Sequence, residues 1–246
     1  MKWNNQKQSV IDLGCGDGAV TSIIKRYVPT KDVNFVASDI SEIMVDYARE
    51  HYSKENITFR VLDMEGELPN ELKQNFNHVF SFFAMQFIRN QEKAFRNIYD
   101  LLTEGGDCFL CFLKHMPCYD IFIRSSQEDK WKEWIKDVNK FVSPYNYIED
   151  SEKKVSQMME NIGFTNINVK CKKMKYDMQN GKEFKSFMKS VEPFNMPSDV
   201  FEKFANDNVV TAQQIGILDN TSNSFEDHDK PVEFNYQVLV VYASKP

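Results

Sequence analysis

The sequence predicts an α/β protein with a mostly parallel sheet, and three observations support that fold class. Short apolar strands alternate with amphipathic helices through the first half of the chain. A glycine-rich segment, VIDLGCGDGA (10–19), joins the first predicted strand to the first predicted helix. Each of the first three strands carries an aspartate at its carboxyl end. Alternating strands and helices imply right-handed βαβ crossovers and a ligand site at the carboxyl edge of the sheet.

The first half contains five predicted strands, each a short apolar run rich in β-branched and aromatic residues. They are SVIDLG (9–14), VNFVASD (33–39), ITFRVLD (57–63), FNHVFSFF (76–83) and DCFLCFL (107–113). Apolar residues at spacings of three and four predict helices after the first, second and fourth strands. These helices are AVTSIIKRYV (19–28), EIMVDYAREHY (42–52) and QEKAFRNIYDLL (91–102).

The second half departs from this alternation. An aromatic-rich stretch, residues 119–142, is predicted to be helical, and SEKKVSQMMENI (151–162) is predicted to be a helix that stops at Gly163. A sixth strand is expected over 165–176 and a last strand over 236–244. The segment between them is expected to be helical at first and then loop-like.

Length and composition exclude several classes of protein. The 246 residues suffice for one large α/β domain, and no apolar stretch approaches the roughly 20 residues that span a bilayer. The chain starts without a secretory leader, so we expect a cytoplasmic location. A net charge of −6 argues against a nucleic-acid partner. Five cysteines fit a reducing compartment, and we expect no metal site, since the pair Cys108 and Cys111 falls on opposite faces of a strand.

The glycine loop offers a close approach to the backbone, and two ligands compete for it. Residues 14–19 fit the pattern G-x-G-x-x-G/A if Ala19 stands for the last glycine. A dinucleotide would place its pyrophosphate at the helix N-terminus, whereas S-adenosylmethionine carries no phosphate. Asp12 favours the second ligand, because its carboxylate would repel a pyrophosphate and attract an ammonium or a sulfonium.

The two later aspartates complete a nucleoside site. Asp39 is placed to accept both ribose hydroxyls of an adenosine, a role that also occurs in NAD sites. Asp63 is placed to accept from the adenine amino group, with Met64 against the ring. Each aspartate taken alone could instead be a helix N-cap or a turn residue.

These residues carry a resemblance to known proteins. VIDLGCGDGA, ASD (37–39) and VLDM (61–64) resemble the class I S-adenosylmethionine-dependent methyltransferases. The run from His78 to Leu113, with DISEIMVDYAREHY (39–52) and KWKEWIKDVNKFVSPY (130–145), is similar to the insect juvenile hormone acid O-methyltransferases. The resemblance implies a Rossmann-like fold whose seven-stranded sheet has a reversed last strand, with helices on both faces and helical lid insertions.

The resemblance also implies the domain organisation and the cofactor. Residues 1–246 would form a single methyltransferase domain. In it, 1–113 form the cofactor-binding half, 114–230 the helical insertions and sixth strand on the acceptor side, and 231–246 the last strand. The cofactor would be S-adenosyl-L-methionine, with S-adenosyl-L-homocysteine as product. We expect the cofactor site to contain Asp12, Gly14, Cys15, Gly16, Asp39, Ile40, Met44, Asp63, Met64 and Phe82.

The acceptor side is expected to follow the fourth strand. Gln86 would donate a hydrogen bond to the acceptor oxygen, and Phe87 would lie beside it at the reacting centre. Phe83 would add an apolar wall, with Tyr119 and Trp131 from the helical insertions. A carboxylic acid is already ionised at neutral pH, so methylating it requires no general base.

The function expected from these residues and the resemblance is O-methylation of a small lipophilic acid. The acid would be a sesquiterpenoid such as juvenile hormone acid or farnesoic acid. The sequence departs from the family at Gln86 and Phe87, where family members usually have His-Trp. A non-catalytic paralogue that binds S-adenosylmethionine or a lipid acid, and a methyltransferase for another small molecule, remain alternatives. The oligomeric state is left open.

Overall fold

The computed structural model describes residues 1, 3, 7–29 and 33–246, with the side chain of Ser53 left aside. Two compact units account for them. The first comprises Met1–Leu113, Ile148–Lys172 and Leu239–Pro246, and the second comprises Lys114–Tyr147 and Lys173–Val238. The predicted division into 1–113, 114–230 and 231–246 within a single methyltransferase domain stays a prediction.

The structure contains seven strands and eight α-helices in the described residues. The strands are β1 (Gln8–Leu13), β2 (Val33–Asp39), β3 (Ile57–Val61), β4 (Phe76–Phe82), β5 (Leu102–His115), β6 (Thr165–Met178) and β7 (Val232–Ser244). The helices are α1 (Ala19–Tyr27), α2 (Glu42–Tyr52), α3 (Gln91–Leu101), α4 (Pro117–Ser125), α5 (Ser151–Ile162), α6 (Gly181–Ser190), α7 (Ser198–Asp207) and α8 (Val209–Gln214).

All seven strands belong to one mixed sheet with a reversed strand, in the order β3-β2-β1-β4-β5-β7-β6. This confirms the predicted fold class. The first five strands pair in parallel, and Asp12 of the central strand β1 lies opposite Ala37 of β2 and Phe80 of β4. Parallel strands end at one edge of a sheet, so the segments that follow β1, β2, β3 and β4 meet there. The strand order changes direction at β1, which places the switch point of the sheet at the glycine loop.

Strand β1 lies inside the sheet and is buried at every residue except Ser9, which is half-buried. Val10 and Ile11 have no exposed surface, and Phe35 and Ala37 of β2 pack in the same core. Strands buried on both faces read as continuous apolar runs, which explains why their positions could be predicted from the sequence.

Strand β5 is longer than predicted. It begins at Leu102, directly after α3, whereas the sequence predicted a helix through 102 and a strand only from 107. Leu102 pairs with Phe76 of β4, and the carbonyl of Gly106 accepts a hydrogen bond from Lys245 N at 2.8 Å. Pairing on both sides therefore extends the strand through a segment of low strand propensity.

The helix predicted over 119–142 is wrong beyond its first third, because α4 ends at Ser125. The Ser125 hydroxyl donates to Asn208 Oδ1 at 2.6 Å, and the Ser126 hydroxyl donates to the Ile123 carbonyl at 2.7 Å. Serine hydroxyls that bond locally compete with the helical ladder. Asp137, with φ of 52°, then interrupts any regular continuation.

A search of the described part of the chain for a helix long and apolar enough to cross a membrane found none.

Candidate active site

The loop between β1 and α1 needs glycine at three positions, each with left-handed backbone. Gly14, Gly16 and Gly18 have φ values of 76°, 53° and 87°. The amides of Gly14 and Cys15 donate to the Ser38 carbonyl at 2.7 and 2.9 Å, which ties the loop to β2. L-residues rarely adopt this conformation, so side chains would strain the loop at all three positions.

Gly14 and Gly16 differ in their surroundings, because Gly14 is closely packed and Gly16 faces open space. A Cβ on Gly14 would lie 2.2 Å from Ala84 Cβ, so Gly14 is needed for close packing against the segment after β4. A Cβ on Gly16 would meet nothing within 4 Å. Gly16 therefore faces open space, as a residue does where a ligand approaches the backbone.

Gly18 is a further glycine that the loop requires, and the assignment of Ala19 to the last position of the G-x-G-x-x-G/A pattern stays a prediction. A Cβ on Gly18 would lie 3.0 Å from both Ala48 Cβ and Tyr52 Cδ2 of α2. Ala19 is the first residue of α1. The close approach of helix to helix is a tertiary contact, so the spacing in the sequence could not distinguish the two residues.

Asp12 is a buried carboxylate with one oxygen satisfied. Its side chain lies at the end of β1 with 1% of its surface exposed, and Thr21 donates to its Oδ2 at 2.6 Å. Its Oδ1 has no hydrogen-bond partner in the described residues. Burial and, to a smaller extent, the charge of Asp39 raise the pKa of Asp12 to about 7, against the lowering effect of the Thr21 hydrogen bond. A cationic hydrogen-bond donor would pair with Asp12 Oδ1 and favour the ionised form of the carboxylate.

Asp39 ends β2, as predicted, and its carboxylate joins two loops. Its Oδ2 accepts from Gly16 N at 2.9 Å, and its Oδ1 accepts from Ser41 N at 2.9 Å. An ionised carboxylate offers about four lone-pair sites, so two remain for further donors such as hydroxyls. Asp39 thus lies beside the open face of Gly16.

Asp63 lies two residues beyond the end of β3 rather than at its end. Its Oδ1 accepts from Glu65 N at 2.9 Å in a local turn. This turn was the alternative reading of the sequence, and a role toward adenine stays a prediction. The neighbouring Met64 is buried, and its Cε lies 3.5 Å from where a Cβ on Gly14 would be. The Met64 side chain therefore lies next to Gly14 of the glycine loop.

Three further predicted cofactor residues divide between surface and core. Ile40 and Met44 are 67% and 44% exposed, so both present apolar surface after β2. Phe82 instead packs between Phe80 and Phe109, with ring centroids 6.3 and 5.9 Å away. It lines an apolar groove beside α1, and its contact with a cofactor stays a prediction.

Gln86 is placed differently from the expectation. It is 2% exposed, its Nε2 donates to the Phe83 carbonyl at 2.6 Å, and its Oε1 accepts from Leu113 N at 3.3 Å. The amide thus belongs to the scaffold of the loop, whereas the sequence predicted that it donates to an acceptor. Phe83 and Phe87 are 46% and 54% exposed, and they present the apolar surface of this segment.

Tyr119 and Trp131 lie in the core of the second unit. Tyr119 of α4 is 1% exposed, and Trp131 is 2% exposed with its ring edge-on to Phe204 at 5.2 Å. The indole Nε1 of Trp131 has no hydrogen-bond partner in the described residues. Their burial indicates core packing within that unit, and contact with an acceptor stays a prediction.

Comparison with known proteins identifies the family. A methyltransferase domain model matches residues 10–106. The juvenile hormone acid O-methyltransferase of Bombyx mori is 44% identical over 245 residues, covering all of this chain and 88% of the relative. The chain belongs to the juvenile hormone acid O-methyltransferase family. The Drosophila melanogaster protein of the same name is 34% identical over 252 residues, covering all of this chain and 83% of that relative.

A solved structure agrees with the fold of this methyltransferase. The YcgJ protein of Bacillus subtilis superposes with a TM-score of 0.62, covering 98% of this chain and 93% of that one, at 16% identity. At that level of identity the likeness concerns the fold alone.

S-adenosylmethionine is the cofactor of this methyltransferase, and the residues at the carboxyl edge fit it. The unpaired Oδ1 of Asp12 suits a cationic donor, and Asp39 keeps lone pairs for hydroxyl donors. Gly16 leaves room for a close approach. A phosphate would meet two carboxylates here, so the site favours a cationic nucleoside over a dinucleotide.

We expect Asp12→Asn to change how stability depends on pH. The pKa of Asp12 rises from 3.8 unfolded to about 7 folded, so folding favours the protonated form, and wild-type stability falls as pH rises toward 7. The amide of the variant does not titrate, so its stability does not fall with pH in this way. Its free energy of unfolding relative to wild type should increase by roughly 3 kcal/mol between pH 5 and pH 8. Urea unfolding at both pH values measures this, and an equal difference at both would contradict it.

We expect Gly16→Ala to weaken cofactor binding more than it weakens the fold. The left-handed backbone imposes about 1–2 kcal/mol on alanine, and the new methyl group occupies the open face. Gly105→Ala is the matched control, because Gly105 has φ of 75°, also has open space, and lies at the start of β5. Both variants should lose similar thermal stability, but only Gly16→Ala should bind S-adenosylhomocysteine more weakly by calorimetry. Equal affinities of the two variants for S-adenosylhomocysteine would show that Gly16 is not part of the cofactor site.

Proposed function

We propose that this protein transfers a methyl group from S-adenosylmethionine to the carboxylate of juvenile hormone acid or of the related sesquiterpenoid farnesoic acid. The observation that carries the proposal is its 44% identity, along the whole chain, to the Bombyx mori enzyme named for that reaction. The Drosophila melanogaster relative supports the same substrate.

The residues that would hold the cofactor are Asp12, Gly16 and Asp39. Asp12 would receive a cationic group, and Asp39 would accept from ribose hydroxyls next to the open face of Gly16. Ile40 and Met44, which are exposed, would flank the base. When bound, S-adenosylmethionine supplies an electrophilic methyl group on a sulfonium. The chain's part is to fix its position and exclude water around it.

Methylation of a carboxylate requires that the reacting atoms be oriented, but it requires no proton transfer. A carboxylate needs no general base, and alignment of the reacting atoms is worth roughly 7–11 kcal/mol. His78 is not available as a base, since it lies within β4, is 2% exposed and bonds to Asp107 at 2.6 Å. The half-exposed rings of Phe83 and Phe87 offer an apolar surface that suits a lipophilic acid.

We further propose a reducing, cytoplasmic setting without a nucleic-acid partner. The five cysteines are free, which supports such a compartment. The net charge of −6 opposes binding to a polyanion.

The direct test is product formation. The purified protein should convert farnesoic acid and juvenile hormone acid to their methyl esters in the presence of labelled S-adenosylmethionine. The corresponding primary alcohol should remain unmodified, because its hydroxyl is not ionised and the buried His78 is not available as a base. Cofactor binding without ester formation would instead identify a non-catalytic binding protein.

Asp39→Ala should abolish cofactor binding while the protein stays folded. The side chain is the shared acceptor for Gly16 N and for the proposed ribose hydroxyls. Asp46→Ala serves as the control. It removes the same charge from an exposed site on α2, where Asp46 forms a surface ion pair with Arg49. Calorimetric titration with S-adenosylhomocysteine should show binding for the control alone. Unchanged affinity in Asp39→Ala would exclude it from the ribose site.

A further inference from the structure

The residue that follows β4 has a strained backbone. Phe83 has φ of 53°, in the left-handed region that bulky side chains rarely adopt. Such residues persist only where surrounding interactions impose them, and they concentrate at functional sites. Phe83 is immediately followed by Ala84, which packs against Gly14 of the cofactor loop. The strain therefore lies beside the cofactor site.

The side chain of Gln86 bonds to the carbonyl of this strained residue. Phe83 N donates to the Cys111 carbonyl of β5 at 2.7 Å, and the Phe83 carbonyl turns to accept from Gln86 Nε2 at 2.6 Å. Gln86 Oε1 accepts from Leu113 N at 3.3 Å. The side-chain amide thus bonds both to the strained residue and to β5, and it continues the pairing of β5 beyond the point where β4 ends.

The rest of the segment is held by other side chains. Arg89 donates to the Gln86 carbonyl at 2.7 Å. Gln91 Nε2 donates to the carbonyls of Met85 and Ile88 at 2.7 and 3.0 Å. Gln91 and Arg89 therefore fix carbonyls on either side of Phe87, whereas the Phe83 carbonyl accepts from Gln86.

We propose that Gln86 is a positioning residue that holds Phe83 in its strained conformation, and that the Phe83 ring is the wall against which the acceptor's apolar chain is aligned. The inference rests on the proposed function for the identity of the acceptor. It replaces the direct hydrogen bond from Gln86 to substrate with an indirect role. The buried amide acts through the exposed ring.

Gln86→Met tests the role in catalysis, with Gln91→Met as the matched control. Both variants keep side-chain length and remove hydrogen bonds to carbonyls of the same segment. Gln86→Met should raise KM for farnesoic acid about tenfold or more, while the Kd for S-adenosylhomocysteine stays unchanged. Gln91→Met should lower thermal stability and leave KM close to wild type. An unchanged KM in Gln86→Met, or equal increases in both variants, would overturn the inference.

A double-mutant cycle tests the restraint without any activity measurement. Glycine adopts the left-handed region freely, so Phe83→Gly needs no restraint at that position. The loss of Tm caused by Gln86→Met should therefore be smaller in the Phe83→Gly background than in wild type. Additive losses would show that Gln86 does not hold Phe83, and would also overturn the inference.

The two proposals fail separately. If wild type forms no methyl ester, the proposed function fails. Calorimetric binding of farnesoic acid to the protein saturated with S-adenosylhomocysteine then replaces KM. Weaker binding in Gln86→Met than in Gln91→Met would support the positioning role, and equal binding would overturn it.

Discussion

A buried carboxylate with one unpaired oxygen governs the cofactor end of this protein. Asp12 sits on the central strand, where helices and neighbouring strands remove it from water, and Thr21 satisfies only one of its oxygens. An isolated buried charge is costly, and the raised pKa of about 7 expresses that cost. The folded protein is consequently less stable than it would be with an apolar side chain in place of Asp12. Within the described residues, Asp12 Oδ1 is left without a hydrogen-bond partner, and a cationic donor is the kind of group that would pair with it.

The parts of the fold that could be predicted depend on local signals. Apolar runs on buried parallel strands, three glycines and the aspartates near the ends of β1 to β3 all lie within short stretches, so sequence periodicity locates them. The extension of β5 to Leu102 depends on pairing with Phe76 and on Lys245. Such partners are distant in sequence, and no local pattern contains them.

The candidate site shows the same division at the level of single side chains. The place of Asp39 at the end of β2 was predictable because a short apolar run locates that strand, and its role toward a ribose stays a prediction. Gln86 and Phe82 were not predictable in this way, since the sequence does not tell whether a polar or aromatic side chain turns toward a ligand or toward its own backbone. Gly18 was missed for a similar reason, because its close contacts with Ala48 and Tyr52 come from α2.

One member of the glycine loop bears on the chemistry that its neighbours serve. Cys15 is buried, its thiol donates weakly to the Gly16 carbonyl at 3.6 Å, and burial raises its pKa to about 12. Thiolates, not thiols, are the nucleophiles that alkylating agents modify. Burial therefore holds the Cys15 sulfur, one residue from the open face of Gly16, in its protonated and less reactive form.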